Sequence, residues 1–489
     1  MQFTAKQSGL YQGGESVLKR LTYLWRWSRD PRRRWMWYLA AAIIFFAAKA
    51  VPIGGLSPQA QSAIAVFLTA GFLWFTNSFP IAITGLLVLL LLPLSGALPA
   101  KEAYSYFGSD AVFFILGAFI LASPIMRSGL SNRIVLWALQ RLGTDPVLLI
   151  SALLWIPAFM TFFINEHAVA VMMFPIGFEL ARVLNLKPGS RFGTAIFLAI
   201  AWGTVIGGMA TLLGGARAPL ALGVLKSNTG STISFLDWSL AAFPIVLSLL
   251  WIAQLLLIRI TPRDLKLDRL QSHIQTRASQ LGPPSTREKK TFALTLVIIL
   301  LWILTGDVYG LGTIALLGAV LTFVIGITDW HEIEEDVNWG IFLMYGGAIA
   351  LSTALQTTGA APFIAEQMLP FLSKAPQFTL YLLTLISLLL TEVMSNTATV
   401  AMLMPIALGV ANTLGLAPEA VTLSVALPAG LALMLPVSTP AIALAVGSRH
   451  VRTVDIFRYG ALIKAAGLVI FLLASRYYWP ILGFTMGAR

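Results

Sequence analysis

The sequence predicts an all-α polytopic membrane protein of two inverted repeats, each with a re-entrant hairpin and a broken helix, and about 11 transmembrane helices in all. Three observations carry that expectation. The 489 residues are 57% hydrophobic and only 11% charged, with a mean hydropathy of +0.82, where soluble domains carry about 25% charged residues. Apolar runs of about 20 residues recur from end to end, each long enough to cross a hydrocarbon core about 30 Å thick. The two halves also match at an offset of 230 residues. Thr161 to Pro175 (TFFINEHAVAVMMFP) falls on Thr391 to Pro405 (TEVMSNTATVAMLMP), Gly117-Ala118 on Gly347-Ala348 and Gly129 on Gly359.

Residues 1–35 form a basic segment carrying Lys6, Lys19, Arg20, Arg26, Arg29, Arg32, Arg33 and Arg34, just ahead of a first transmembrane helix at 36–58. That cluster predicts a cytoplasmic N-terminus in a multi-pass inner or plasma membrane protein. It is too long for a signal peptide, and no small-residue cleavage site follows it. Lipid contact, and no nucleic-acid partner, suits basic charge this close to a membrane span, so the net charge of +12 is read as topology. With no cysteine in the chain, disulfides and thiolate metal sites are excluded.

Repeat 1 is expected over 59–260, with spans near 59–77, 80–97 and 111–139, a hairpin at 146–183, a broken helix at 191–224 and a span at 233–260. A polar linker at 261–290 follows, with Arg263, Lys266, Arg269, Arg277, Arg287, Lys289 and Lys290 marking it as cytoplasmic. Repeat 2, at 291–489, is expected to hold spans near 291–305, 309–328 and 338–369, a hairpin at 376–413, a broken helix at 417–447 and a span at 453–479. Five crossings per half is an odd number, so the repeats must point in opposite directions. The acidic loop Asp329, Glu332, Glu334, Glu335 and Asp336 would then be cytoplasmic, against the basic trend, although acidic residues weigh little in orientation. Trp25, Trp27, Trp35, Trp37 and Trp479 fall where interfacial belts are expected, and His273, His331 and His450 in loops without a specific task.

The breaks are at Gly207 to Pro219 (GGMATLLGGARAP) and Leu433 to Pro440 (LMLPVSTP). Irregular backbone at membrane depth persists only where protein buries it or a wet cavity takes it up. A broken helix offers amide donors to an anion and carbonyl acceptors to a cation.

Ser395-Asn396-Thr397 inside TEVMSNTAT, followed by Met434 to Pro440 (MLPVSTP), resembles the divalent anion/sodium symporters, the dicarboxylate, citrate and sulfate carriers. The resemblance spans nearly the whole chain. It implies a homodimer in which each repeat supplies a hairpin tipped by Ser-Asn-Thr and a broken helix with a Thr-Pro turn. It also implies that Ser395, Asn396, Thr397, Thr439 and Pro440 contact the anion, and that Thr391, Asn396 and the backbone around Ser438 hold a sodium ion. Glu392 is read as a support of the second hairpin.

The first repeat departs from that pattern. Asn165, Glu166 and His167 stand in the Ser, Asn and Thr places, and Gly214-Gly215-Ala216-Arg217-Ala218 replaces a Gly-Thr-Pro-Pro-Asn turn. The second turn has Ile442 where the family has a terminal Asn. The matching sodium site would be Thr161, Asn165, Glu166 and the backbone at Gly214, with a carboxylate in place of its central amide. Glu166, His167 and Arg217 thus form an ionisable cluster in the expected substrate site, and intramembrane charges are functional candidates by default. Arg217 is either a tethered cation paired with Glu166, or Glu166 and His167 carry protons, or the pair only stiffens the hairpin.

The expected activity is secondary active transport of a small divalent anion by alternating access. Sodium is expected at one site, proton coupling is possible, and no other cofactor is needed. The rivals are a proton-coupled or uncoupled exchanger or channel-like pathway, a cation/proton antiporter using Glu166, and a membrane anion sensor that transports nothing. No Walker loop, nucleophile elbow or zinc-protease motif is present, so no enzyme is expected.

Overall fold

The computed structural model describes residues 34–141, 145–262, 279–368 and 376–484, with residues 267, 274–277 and 370 between them. Lys6 to Arg33, with Trp25 and Trp27, and the linker residues Arg263, Lys266, Arg269 and His273 lie outside the described residues.

All regular structure among the described residues is helical. After α1 (Arg34–Ala50), the first half runs through α2 (Pro58–Thr76), α3 (Ile81–Ser95), α4 (Ala100–Ser105), α5 (Asp110–Arg127) and α6 (Leu130–Arg141). It continues with α7 (Pro146–Met160), α8 (Glu166–Val183), α9 (Arg191–Gly207), α10 (Arg217–Thr229) and α11 (Phe235–Ile260). The second half comprises α12 (Thr286–Tyr309), α13 (Leu311–Val324), α14 (Trp330–Asp336), α15 (Trp339–Thr357) and α16 (Ala360–Met368). It ends with α17 (Pro376–Val393), α18 (Asn396–Leu414), α19 (Pro418–Ala426), α20 (Pro440–Gly447) and α21 (Thr453–Leu473). Each helix from α2 to α11 therefore has its counterpart ten labels later, and α1 stands apart.

Local chemistry sets many of these starts. Ser57, Asp145, Ser190 and Ser234 each accept a hydrogen bond from an amide in the first turn that follows, and proline occupies the first position of α2 and α7. Helix α12 begins at Thr286 because Ser285 and Glu288 form a capping box, so Lys289 and Lys290 lie on the helix instead of in the linker. Gly129 and Gly359, at φ +88° and +83°, divide the spans expected at 111–139 and 338–369 at equivalent residues.

Packing between the halves is reciprocal. Helix α5 lies against α13 and α3 against α15, while α10 lies against α18 and α8 against α20. In the first set Gly117 abuts Ala315 and Gly347 abuts Gly85, so closely that an added Cβ would come within 2.6 Å and 2.4 Å of their backbones. These four residues form two pairs at the same offset of 230, and contacts exchanged in this way are what an approximate two-fold axis produces. The glycines are the condition for that approach.

By length and apolarity, α5, α11, α12, α15, α18 and the run Thr453–Leu482 can each cross a membrane. At about 1.5 Å per residue, α19 and α20 are each about half a crossing and α10 about two thirds of one, as a broken span requires, while α9, with 17 residues, is the longest of the four pieces. Three carboxylates of the acidic loop pair with bases from both halves. Arg127 reaches Glu335 and Asp336 at 2.7 Å each, and Arg287 pairs with Glu332. Burial raises the Asp336 pKa, but hydrogen bonds from Arg127 and Ser123 outweigh it and leave that carboxyl below its ordinary value. Trp479 corrects the interfacial reading. It is fully buried, and its Nε1 donates to the Ala241 carbonyl on α11 at 3.2 Å.

Candidate functional site

Two helical hairpins and two broken helices bring four helix starts to one place. The α7–α8 hairpin turns at 161–165, where the Asn165 side chain accepts from the His167 amide at 2.9 Å. The α17–α18 hairpin turns at 394–395, where Ser395 accepts from the Ala398 amide at 3.2 Å. The first broken helix stops at Gly207 and restarts at Arg217. The second stops at Ala426 and restarts at Pro440, capped by Thr439. Between the tips lies a cavity of about 370 Å³ lined by Asn165, Glu166, His167, Arg217, Ser395, Asn396, Thr397, Ser438, Thr439 and Pro440. These residues include every expected anion contact from both repeats. The amino-terminal ends of α8, α10, α18 and α20 all border it, and each carries the partial positive charge that favours an anion.

A buried hydrogen-bond chain runs behind this cavity and joins the repeats. Thr391 Oγ1 lies 2.6 Å from the Ala429 carbonyl and 2.8 Å from Asn396 Oδ1. Asn396 Nδ2 donates to Glu166 Oε1 at 3.1 Å. Arg217 donates from one terminal nitrogen to Glu166 Oε2 at 3.1 Å and from the other to the Gly208 carbonyl at 2.9 Å. Arg217 is 1% exposed, and its guanidinium fits because Gly215 and Gly430 have no side chains. A Cβ at Gly215 would lie 2.2 Å from it, and one at Gly430 2.4 Å. His167 is different: its side chain is 41% exposed, with Nδ1 4.0 Å from Glu166 Oε1.

The residues expected to hold cations are arranged unequally. In the second repeat Thr391 Oγ1, Asn396 Oδ1 and the Ala429 carbonyl converge, a set of hard oxygen donors suited to sodium. Ser438 lines the cavity with its hydroxyl donating to the Leu435 carbonyl at 2.7 Å, and the backbone oxygen hydrogen-bonded to Thr391 is that of Ala429. In the first repeat the Gly214 carbonyl already accepts from the Glu166 amide at 2.8 Å, and Thr161 donates to Ala158 at 2.7 Å. The Arg217 guanidinium lies in the same half, 3.1 Å from Glu166 Oε2.

Glu392 supports the unwound stretch of the second broken helix. Its carboxylate accepts from the amides of Leu433, Met434 and Leu435 at 2.9–3.2 Å, and it pairs with buried Lys464 of α21. His450 corrects its reading as an incidental loop residue. It is buried, stacked on Phe197 of α9 at 5.2 Å, and its carbonyl accepts from Thr194 at 2.8 Å. His331 is exposed, 3.5 Å from Glu335.

Four residues at or behind the site escaped the sequence reading. Ala429 carries no signal, because its backbone is what acts. Lys464 does carry one, as a basic residue inside the apolar run of α21. Tyr345 of α15 donates its hydroxyl to the Ala216 carbonyl beside Arg217, and nothing in its helix sets it apart. Asn77, in the α2–α3 turn, lines the cavity, and its signal was the polar Asn-Ser pair interrupting apolar sequence before Pro80.

The site is thus polar, two-sided and set among apolar helices. The family model of the sodium:sulfate symporter transmembrane region matches residues 32–485, and the chain belongs to that family. It is 31% identical over 454 residues to the sodium-dependent dicarboxylate transporter SdcS of Staphylococcus saprophyticus, covering 87% of each chain. Its identity to the SdcS of Staphylococcus aureus is 30% over 468 residues, covering 90% of this chain and 89% of that one. Among solved structures, the MtrF antimetabolite efflux pump of Neisseria gonorrhoeae aligns with a TM-score of 0.55 at 15% identity, over 82% of this chain and 87% of the other. The YdaH transporter of Alcanivorax borkumensis aligns at 0.51 and 14%, over 80% and 89%. The protein is therefore a multi-pass integral membrane transporter, and not an enzyme.

Proposed function

We propose that this protein is a secondary active transporter of a small divalent anion, a dicarboxylate or a sulfate-like oxyanion, working by alternating access with one sodium site altered. The observation that carries this reading is the roughly 370 Å³ cavity in which both hairpin tips and four helix starts meet. That volume lies in the range of small-molecule pockets, about 300–1,000 Å³. The second-repeat donors around it are amides and hydroxyls, which bind a dianion without trapping it as an unpaired buried arginine would, and the one guanidinium, that of Arg217, is paired with Glu166. Sodium is the coupling ion at Thr391, Asn396 and the Ala429 carbonyl. In the first repeat Arg217, neutralised by Glu166, stands where a second cation would act. The re-entrant character of both hairpins, the cytoplasmic N-terminus and a homodimer belong to the same reading, supported by membership of the family.

A second reading is favoured by His167, whose exposed imidazole beside Glu166 suits a proton carrier. Flux in proteoliposomes, with succinate and sulfate as separate substrates and sodium and proton gradients imposed separately, tests both. Uptake driven by sodium supports the main reading. Uptake driven only by a pH gradient supports the second, and downhill flux that no gradient can concentrate replaces both with a channel-like pathway.

A further inference from the structure

A second cavity, of about 490 Å³ and called outer where the site cavity is called inner, shares no lining residue with the site, and its construction parallels that of the first. The inner cavity is lined by Pro440 and Ala443 at the start of α20, together with Asn77 in the α2–α3 turn. The outer one is lined by Pro219 and Leu222 near the start of α10, together with Asp307 at the α12–α13 junction. Helices α10 and α20 are counterparts, as are α3 and α13. Asn77 stands four residues before Ile81, the first of α3, and Asp307 four residues before Leu311, the first of α13. The two positions thus share the 230-residue offset of the repeats.

Contacts put the two turns on opposite faces. At the start of α3, Ala82 lies against Gly340, just after the acidic loop that Arg127 binds from the end of α5. At the start of α13, the Gly312 amide donates at 3.0 Å to Asp110 at the other end of α5. Helix α5 has 18 residues, about 27 Å of rise. The inner cavity reaches both hairpin tips, whereas the outer one includes none of residues 165–167 or 395–397. Where the outer route would continue, α10 is sealed against α15 by the Tyr345–Ala216 hydrogen bond and the close fit of Gly223 on Ile349.

We propose that Asn77 and Asp307 are a matched pair of scaffold residues, each meeting the transported anion on one route only: Asn77 as a contact on the inner route, Asp307 as a repelling charge on the outer one. This rests on the reading of the protein as an alternating-access anion transporter. Asn77 carries the only donor that the α2–α3 turn adds to the cavity, and that turn lies outside both hairpins and both broken helices. Asp307 shares its cavity with Asp110 and Lys226, so two carboxylates and one ammonium face an anion arriving from that side. The pair therefore sets different apparent affinities for one substrate on the two faces of the membrane.

The test measures labelled succinate uptake in intact cells and in inverted vesicles from the same cells, so that each face is the loading face in turn. Asn77 has φ +47°, so Asn77→Gly removes the side chain while keeping a backbone that glycine adopts freely, and Asn77→Asp adds a charge at equal size. On the α2–α3 face, Asn77→Gly is expected to raise the half-saturating concentration about three- to ten-fold, the value of one hydrogen bond, and Asn77→Asp to raise it further. On the other face both variants should match the unmodified protein to within about two-fold. Asp307→Asn should lower the half-saturating concentration on its own face only. Equal shifts on both faces, or no shift from any of the three variants, overturn the proposal. If the unmodified protein moves neither succinate nor sulfate from either face, the anion-transport reading itself fails, which is a separate and recognisable outcome.

Discussion

The two halves of the site solve the same backbone problem with opposite charges. In the second repeat the unwound stretch presents amides, and a carboxylate, Glu392, gathers three of them while Lys464 neutralises it. In the first repeat the break presents the Gly208 carbonyl, and a guanidinium, Arg217, binds it while Glu166 neutralises it. The difference lies in where each pair sits. Glu392 and Lys464 are absent from the lining of the substrate cavity, whereas Glu166 and Arg217 both line it. One pair lies behind the cavity. The other lines it, with Glu166 bonded to Asn396 of the second repeat.

The largest effect is expected from breaking the first pair. Arg217→Ala leaves Glu166 buried with Asn396 as its remaining side-chain donor, at a cost of about 3–5 kcal/mol. Transport should fall to background, with a lower midpoint in a thermal-unfolding assay in detergent. Arg217→Ala combined with Glu166→Gln should recover part of both, since losing a whole buried pair costs less than losing half of one. Additive effects of the two changes would show that the pair is not a unit.

Asn396→Ala comes next, with transport abolished and the fold retained. Asn396 links the Thr391 oxygen cluster to Glu166, so its loss uncouples the two halves without stranding a charge, because Glu166 keeps Arg217. Monodisperse elution together with lost flux supports this. Normal flux in the same preparation removes Asn396 from the site.

Lys464→Met sharpens the contrast between the pairs. Glu392 keeps its three backbone donors, so the destabilisation should be smaller than for Arg217→Ala, about 1–3 kcal/mol, and half-saturation by substrate should be nearly unchanged. A loss of flux as severe as that of Arg217→Ala would erase the distinction. If the first repeat has exchanged its cation site for Arg217, sodium titration of flux should also give a Hill coefficient near one. A steep, cooperative response would restore a second sodium site and break the comparison.

The smallest effect belongs to His450, at the seam where the α20–α21 turn packs on α9. Burial lowers its pKa, partly offset by the Lys187 backbone, so the fold favours the neutral ring. A group held below its unfolded pKa stabilises above that value, near 6.5 for histidine, and loses the contribution as pH falls through the folded value. Thermal midpoints should therefore drop between about pH 7 and pH 5 by a margin that His450→Gln reduces. An unchanged slope in that variant would assign the acid sensitivity elsewhere.

Most of the membrane architecture was legible in advance because its signals are local and strong. Apolar runs marked helices, Gly- and Pro-rich stretches marked the breaks, and the 230-residue offset marked the two-fold relation. Boundaries moved where short-range chemistry outweighed composition. Polarity assigned Lys289 and Lys290 to the linker, but the Ser285–Glu288 capping box put them on α12. Trp479 has the composition of an interfacial residue, yet α11 covers it.

By itself, the sequence determined that this chain is a two-repeat helical membrane protein, and it singled out the hairpin tips and breaks, with Glu166, His167 and Arg217 in the first repeat, as the expected site. Only the tertiary structure decided that Glu166 bonds Arg217 and Asn396 together, that the Ala429 carbonyl completes the Thr391 cluster, and that Asn77 faces the cavity. The physical reason is range. Capping, periodicity and apolar burial act over a few residues and leave their pattern in neighbouring letters. The Glu166–Asn396 bond and the bed of Gly208, Gly215 and Gly430 around Arg217 depend on segments brought together from both halves, and no single stretch of sequence contains them.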